Sequence, residues 1–156
     1  MGLLLALLIL PVIQAKALEP VVLSSQADTF SAVPYTEYFE DKSHSLLLAN
    51  FLNSNQYPFT AANKKQNQLA FGRSQSAWWV RFSLINQTEA DWYLLIDSLV
   101  GDEFEIFVFP AGFSNQAITP QLIKSYAVNL QDYPRRSWHL SIPKNQLFNV
   151  YIRATN

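Results

Sequence analysis

The chain has 156 residues, of which 49% are hydrophobic, 14% are aromatic and none is cysteine, and its net charge is −1. A chain without cysteine has no disulfide, no thiol nucleophile and no metal site built from thiolates. The near-neutral charge, with no run of lysine or arginine, argues against binding nucleic acid through bulk charge. The apolar content is sufficient for one domain with a packed core.

Residues 1–17 have the pattern of a secretory signal peptide. The apolar run from Leu3 to Ile13 is much shorter than the roughly 20 residues that a membrane-spanning helix needs. It is followed by Ala15-Lys16-Ala17, a small-x-small cleavage pattern. We therefore expect export and cleavage after Ala17. No basic residue precedes the apolar run, which leaves a mis-assigned start ahead of a cytosolic domain as the alternative.

The next part of the chain is predicted to contain a lead-in, a short strand and one helix. Residues 18–33 lack sustained periodicity and are predicted to be an extended lead-in to a single domain over residues 34–156. Tyr35–Phe39 is predicted to be a short strand. A short helix is predicted near Ser45–Leu52, with Ser43 or Ser45 as its N-cap. The helix side chains expected to face inward are Leu48, Phe51 and Leu52.

The segment Ala77–Asn86 is the clearest predicted strand, because apolar and polar positions alternate with the period of a β-strand. One face carries Trp78, Val80, Phe82 and Leu84, which can line a core. The other face carries Trp79 and Arg81, so an indole and a guanidinium lie side by side. A cation next to an aromatic ring on a sheet is either a structural ion-pair site or part of a ligand-binding surface.

Further short strands follow, separated by turn residues. The predicted ranges are 68–71, 92–97, 103–109, 125–130, 136–142 and 148–153. Regularly spaced short strands with little helix are typical of a β-sandwich or a jelly roll, and we expect an all-β fold.

Several of these segments occur in an order that resembles a known family. Tyr38-Phe-Glu-Asp41 precedes the predicted helix, and Phe71–Asn86 contains a Gly…Trp-x-Arg-Phe-x-Leu-x-Asn sequence. Trp92–Asp97 and Asp102–Phe109 are the next two strands, and Phe148–Arg153 closes the domain with Tyr-x-Arg. Together these segments resemble the 7TMR-DISMED2 family, the periplasmic part of bacterial receptors with diverse intracellular signalling modules.

The resemblance implies a jelly-roll β-sandwich similar to carbohydrate-binding modules, set between a signal peptide and a membrane-spanning region. It also implies a location on the periplasmic face of the bacterial inner membrane. The cytoplasmic output of such a receptor would be a diguanylate cyclase, a histidine kinase or a similar module. The chain ends shortly after Arg153, directly after a predicted strand, and we expect it to be a segment of a longer protein.

Two short motifs provide the candidate ligand-binding residues. Trp79-x-Arg81 and Tyr151-x-Arg153 each place an aromatic ring and an arginine on the same face of a strand. Aromatic faces stack on sugar rings, and arginine forks match carboxylates or vicinal hydroxyls. If the two strands are neighbours in one sheet, these four side chains could bind a carbohydrate or a related small molecule.

Glu40 and Asp41 are predicted to be polar partners in the same ligand site. The alternative is structural: each arginine pairs with a carboxylate, namely Glu40, Asp41 or Asp97, and the aromatic ring covers the aliphatic stem of the arginine. Both interpretations stay open from the sequence.

No catalytic or metal centre is predicted. Glu40-Asp41 together with Glu103 and Glu105 could supply the carboxylate pair of a glycosidase, but two acids on one strand are more typical of a solvated face. The same carboxylates could hold a structural Ca²⁺, although the sequence has no Asp-x-Asp-x-Asp loop. The two histidines lack partners at the spacing of a zinc site or a catalytic triad. We therefore predict a non-enzymatic domain without a cofactor.

The leading hypothesis is a periplasmic sensory domain that binds a small molecule and transmits to a cytoplasmic output module. One alternative is a protein-interaction module, such as a homodimerisation domain, without a small ligand. Another is a secreted glycan-binding module. If the helix or the lead-in covers the face of Trp79 and Arg81, that arrangement would favour the structural and the protein-interaction interpretations over ligand binding.

Overall fold

The computed structural model describes residues 19–53, 56–65, 68–72, 74–96, 103–112, 127–129 and 137–155. The predicted signal peptide, Asp97 and both ends of the predicted strand 125–130 lie outside these ranges. The described elements, in chain order, are β1 (Val21–Leu23), a 3₁₀ turn (Val33–Tyr35), β2 (Glu37–Asp41), α1 (Leu48–Asn53), β3 (Thr60–Ala61), β4 (Ala77–Asn86), β5 (Trp92–Leu95), β6 (Glu103–Pro110), β7 (Ala127–Asn129), β8 (Ser137–Leu140) and β9 (Leu147–Thr155).

Within the described residues, the strands form two sheets. The large sheet has the order β3-β2-β4-β9-β6, and β1 pairs with the end of β4 that β2 leaves open. The small sheet has the order β5-β8-β7. All pairs are antiparallel except β1 with β4, which is parallel. The expected all-β sandwich is therefore confirmed.

The main core lies between the two sheets. Val80, Phe82 and Leu84 of β4 project into it, as the predicted alternation requires. From the small sheet, Trp138 and Leu140 pack against them. The remaining buried members of this core are Val21, Leu23, Ile106, Val108, Ile142, Phe148, Val150 and Ile152. We call the face of the large sheet that points into this core the inner face.

A second core covers the opposite, outer face of the large sheet. Its buried members are Leu48, Phe51, Trp79, Phe109 and Tyr151. The chain that follows β2 folds back over this face, and α1 and the segment after it supply the covering side chains. Both faces of β4 are consequently buried, whereas the sequence predicted one core face and left the other open between a structural ion-pair site and a ligand-binding surface.

The helix begins later than predicted because the preceding loop is held by Asp41. The buried Asp41 carboxylate accepts hydrogen bonds from the backbone N–H groups of Ser43 and Leu46, each at 3.0 Å. Between them, His44 adopts a φ of 56°. The first turn is then closed by Asn50, whose Oδ1 accepts from the Leu47 N–H at 2.7 Å. Neither serine acts as the predicted N-cap.

Two other segments differ from expectation. The lead-in is not uniformly irregular, because it contains β1. The predicted strand at Tyr35 is displaced to Glu37–Asp41, since Pro34 lies in the 3₁₀ turn that precedes it and proline fixes φ near the helical value.

Buried Asn86 organises the turn at the end of β4. Its Nδ2 donates to the Ile142 carbonyl at 3.1 Å, and its Oδ1 accepts from the Thr88 N–H at 2.9 Å and from Trp92 Nε1 at 3.1 Å. This single side chain links β4, β5 and the segment after β8. The predicted turn between β4 and β5 is therefore fixed by a local Asn turn of the kind that favours this residue.

Candidate functional site

The structure brings four of the predicted site residues together on the outer face of the large sheet. On the neighbouring strands β4 and β9, Trp79 lies opposite Arg153, and Arg81 lies opposite Tyr151. The two-residue spacing of each motif puts its ring and its arginine on one face, because successive side chains of a strand point to opposite faces. The register of β4 against β9 then sets which residues lie opposite each other.

The two aromatic rings of this set are buried. Trp79 is only 1% exposed and contacts the Phe51 ring of α1, with the centroids 4.8 Å apart. The Tyr151 ring stacks on Phe109, with the centroids 5.8 Å apart, and meets the edge of Phe59. Since protein rings already occupy these positions, the indole and phenol are built into the second core.

Arg81 is paired with an acidic residue that lies directly opposite it on β2. Its Nε and Nη2 donate to Glu37 Oε2 at 2.8 and 2.6 Å, and its guanidinium carbon lies 4.0 Å from the centroid of the Phe59 ring. The Arg81 side chain is nevertheless 30% exposed. The guanidinium therefore lies at the border of the second core, partly accessible to solvent.

Arg153 also pairs with an acidic residue on a neighbouring strand of the same face. Its Nη1 donates to Glu105 Oε2 at 2.9 Å, and its Nη2 donates to the His44 carbonyl at 3.0 Å. Glu105 lies opposite Arg153 on β6. The sequence had suggested Glu40, Asp41 or Asp97 as partners; the structure assigns this role to Glu37 and Glu105 instead.

Glu40 and Asp41 do not join the other four residues. Glu40 lies opposite Trp78 and accepts a hydrogen bond from Ser76 Oγ at 2.8 Å, so it belongs to the inner-face side of β2. Asp41 is used by the loop before α1. A role of all six residues in ligand binding stays a prediction, and the contacts of the four outer-face residues favour the structural interpretation.

We expect the Arg81–Glu37 pair to stabilise the folded domain measurably. Because two guanidinium N–H groups donate to one Glu37 oxygen and the pair is partly exposed, a double-mutant cycle with Arg81→Ala and Glu37→Ala should give a coupling of about 1 kcal/mol. Urea unfolding of the four proteins measures it. The Lys64–Glu19 pair, which is largely exposed at 3.2 Å, serves as the control and should show a coupling near zero. A coupling no larger than this control would contradict the assignment.

A cavity that the sequence did not predict lies between the two sheets. A cavity of about 920 Å³ is bounded by Val80, Phe82 and Ile152 of the inner face and by Leu140 of the small sheet. Its other described lining residues include those of β5 and much of the segment 21–33. We call this space the inter-sheet cavity.

The described walls of the inter-sheet cavity are mainly apolar. Aromatic residues that line it include Phe30, Phe71, Trp92 and Phe104. The Phe30 and Trp92 rings meet edge to face at 5.5 Å, which joins the lead-in to β5. Because the lead-in lacks sustained periodicity, its role as a cavity wall could not be predicted from the sequence.

Neither a membrane helix nor a metal cluster is found in the described part of the chain. No helix there is long and apolar enough to cross a membrane. The same residues contain no group of three or more histidine, aspartate or glutamate side chains placed to hold a metal ion.

Comparison with known proteins identifies the family. The family model of 7TMR-DISMED2, described as 7TMR-DISM extracellular 2, matches residues 33–156, which confirms the resemblance of the sequence motifs. No curated protein and no solved structure matches the chain. Since the match covers most of the chain, the protein belongs to the 7TMR-DISMED2 family and is an extracellular sensory domain of a membrane receptor, located on the periplasmic side.

Proposed function

We propose that this sensory domain binds a small molecule in the inter-sheet cavity and that binding is the input to the receptor. The observation that carries the proposal is the cavity itself, about 920 Å³ in volume and bounded by both sheets and the lead-in. Ligand pockets of proteins usually have volumes of about 300–1,000 Å³, apolar and aromatic walls, and a few polar groups. The inter-sheet cavity has all three properties.

The position of the cavity also suits a sensor. One wall, the inner face of β4, belongs to a strand that is buried on both sides, whereas the opposite wall belongs to the small sheet, whose β5 has exposed side chains at Tyr93 and Leu95. A ligand between the two would contact both layers at once. Its binding energy could therefore bias how the layers are held relative to each other, which is what a ligand-driven change of conformation requires.

A carbohydrate site on the outer face is a second proposal, supported by one observation. The side chains of Arg81 and Arg153 are 30% and 20% exposed, so their guanidinium groups can reach a hydroxylated ligand at the border of the second core. In this arrangement a sugar would contact the guanidinium groups rather than the buried rings. An interaction with a partner protein or a second copy of the chain is the remaining alternative.

Narrowing the inter-sheet cavity should weaken the binding of a neutral apolar probe. We expect N-phenyl-1-naphthylamine to gain fluorescence on binding the purified chain, and Ala32→Phe, which adds a ring to the cavity wall, to weaken this binding by at least about tenfold, or ~1.4 kcal/mol. Ala49→Phe, the same change at an exposed helix position, is the matched control and should bind like the unmodified chain. Thermal unfolding verifies that both variants fold.

The outcomes separate the proposals. Equal binding by both phenylalanine variants, or no binding at all, would show that the cavity is not a ligand site. A thermal-shift screen with neutral sugars and uronates then tests the outer face. A stabilising sugar whose effect is lost in Arg81→Ala and kept in Ala32→Phe would favour the second proposal.

A further inference from the structure

The lead-in supplies one wall of the inter-sheet cavity, although it precedes the family match. Residues between Val21 and Ala32 line the cavity, and the family match begins at residue 33. The lead-in is held in place at its start by β1, where Val21 pairs with Leu84 and the Leu23 carbonyl accepts from the Gln87 N–H at 2.8 Å. Near its end, Phe30 packs on Trp92. This wall is therefore a feature of this chain beyond the part that the family model describes.

Charge is distributed unequally around the cavity. Among the described lining residues, the charged side chains are Asp28 and Asp91, and none is lysine, arginine or histidine. Both aspartates belong to exposed positions, and each is close in sequence to one ring of the Phe30–Trp92 contact. The His139 imidazole lies beside one of them, with its Nε2 3.2 Å from Asp91 Oδ1. Because Asp28 and Asp91 line the cavity and are exposed, they mark a point where it meets solvent, which we call the entrance. The charged side chains among the described lining residues there are both acidic.

We infer that the inter-sheet cavity takes a ligand with an apolar body and a neutral or positively charged head, and that Asp28 of the lead-in and Asp91 before β5 select against anions. This inference rests on the proposed function, because it names the ligand class of the same cavity. The apolar body would fill the space between Phe82, Leu140 and Ile152. The head would remain at the entrance beside Asp28 and Asp91.

The physical reasons are desolvation and charge. An anionic head that enters an apolar cavity without a cationic partner loses hydration that the described walls do not replace. At the entrance the two carboxylates repel it, although solvent and salt weaken this effect. A cationic head has the opposite sign of interaction with the carboxylates, and it is also attracted to the faces of aromatic rings such as Phe30 and Trp92.

Three matched competitors test the inference with the full chain. Each displaces N-phenyl-1-naphthylamine, and they share a naphthalene body: 1-naphthylmethylamine is cationic, 1-naphthalenemethanol is neutral and 1-naphthoate is anionic. We expect the amine and the alcohol to compete better than the carboxylate, with a ratio of amine to carboxylate affinity of about fivefold or more at low salt. In a variant carrying both Asp28→Asn and Asp91→Asn, this ratio should fall towards one.

The control is Glu103→Gln, which removes the same charge at an exposed residue outside the described cavity wall and should keep the ratio. If the carboxylate competes as well as the amine, or if the ratio is unchanged in the double aspartate variant, the inference is overturned while ligand binding in the cavity stands. If the naphthylamine probe does not bind, or if its affinity is the same for Ala32→Phe as for the unmodified chain, the proposed function is wrong. The inference is then wrong as well.

Discussion

Replacing Trp79 by alanine is expected to lower the free energy of unfolding by about 3–5 kcal/mol, the range typical of a large aromatic side chain deleted from a core. Trp79 is 1% exposed, packs on Phe51 of α1 and stacks on Phe107 of β6 at 6.0 Å. The substitution removes one of the side chains that join α1 to the sheet. Urea unfolding followed by circular dichroism measures the change, because small single domains usually unfold in one transition.

Two further variants keep this prediction testable if Trp79→Ala does not fold. Trp79→Phe keeps a ring in the same place. Because Trp79 Nε1 has no hydrogen-bond partner among the described residues, this substitution reduces the side-chain volume without breaking a hydrogen bond. We expect it to cost about 1–2 kcal/mol. Tyr93→Ala, at an exposed ring, should cost less than about 1 kcal/mol. A Trp79 variant as mild as the Tyr93 control would mean that the outer face is open to solvent, as a ligand surface would be.

Replacing Asn86 by alanine is the second change with a large expected effect, about 2–4 kcal/mol. Asn86 is 3% exposed, and its loss would leave the Ile142 carbonyl and the Thr88 N–H without the side chain that now bonds them. Trp92 would keep one acceptor, because Thr88 Oγ1 also lies 3.0 Å from its Nε1. Unpaired backbone groups are costly when they are shielded from solvent, so most of the loss should come from these two, of which the Ile142 carbonyl is the more buried.

The neighbouring residue provides the control for Asn86. Gln87 is exposed, and its hydrogen bond to Leu23 is made by the backbone, so Gln87→Ala should change the free energy of unfolding by less than about 0.5 kcal/mol. Because Asn86 also positions Trp92 on the wall of the inter-sheet cavity, Asn86→Ala should weaken naphthylamine binding as well. Equal stability of the two variants would show that the Asn86 network is not formed in solution.

The sequence was informative where the pattern of one strand decides the structure. The alternation in Ala77–Asn86 predicted β4, its two faces and the projection of Val80 and Phe82 into the main core. The same rule placed Trp79 with Arg81, and Tyr151 with Arg153, on common faces. These predictions succeed because the direction of a side chain on a strand depends on local geometry alone.

The environment of the outer face could not be read from the sequence, because it depends on contacts between distant segments. Phe59 lies in a stretch that looks like a polar loop, yet it packs under the Arg81 guanidinium. The acids that pair with the arginines, Glu37 and Glu105, are set by which strands lie next to each other and by how they align. Neither choice leaves a signal in the residues that flank Arg81 or Arg153.

Burial of β4 on both sides has a consequence for how the chain avoids misfolding. A strand with one solvent-exposed face resists a shift of its pairing register by one residue, because the shift would expose its apolar side chains. In β4 this safeguard is weak, since apolar side chains occur on both sides. The exceptions are Arg81 and Ser83, whose hydroxyl donates to Asn149 Oδ1 at 2.9 Å. A slip would place the Arg81 charge in the layer between the sheets, away from Glu37. Arg81 and Ser83 therefore favour the observed register of β4 over the registers shifted by one residue.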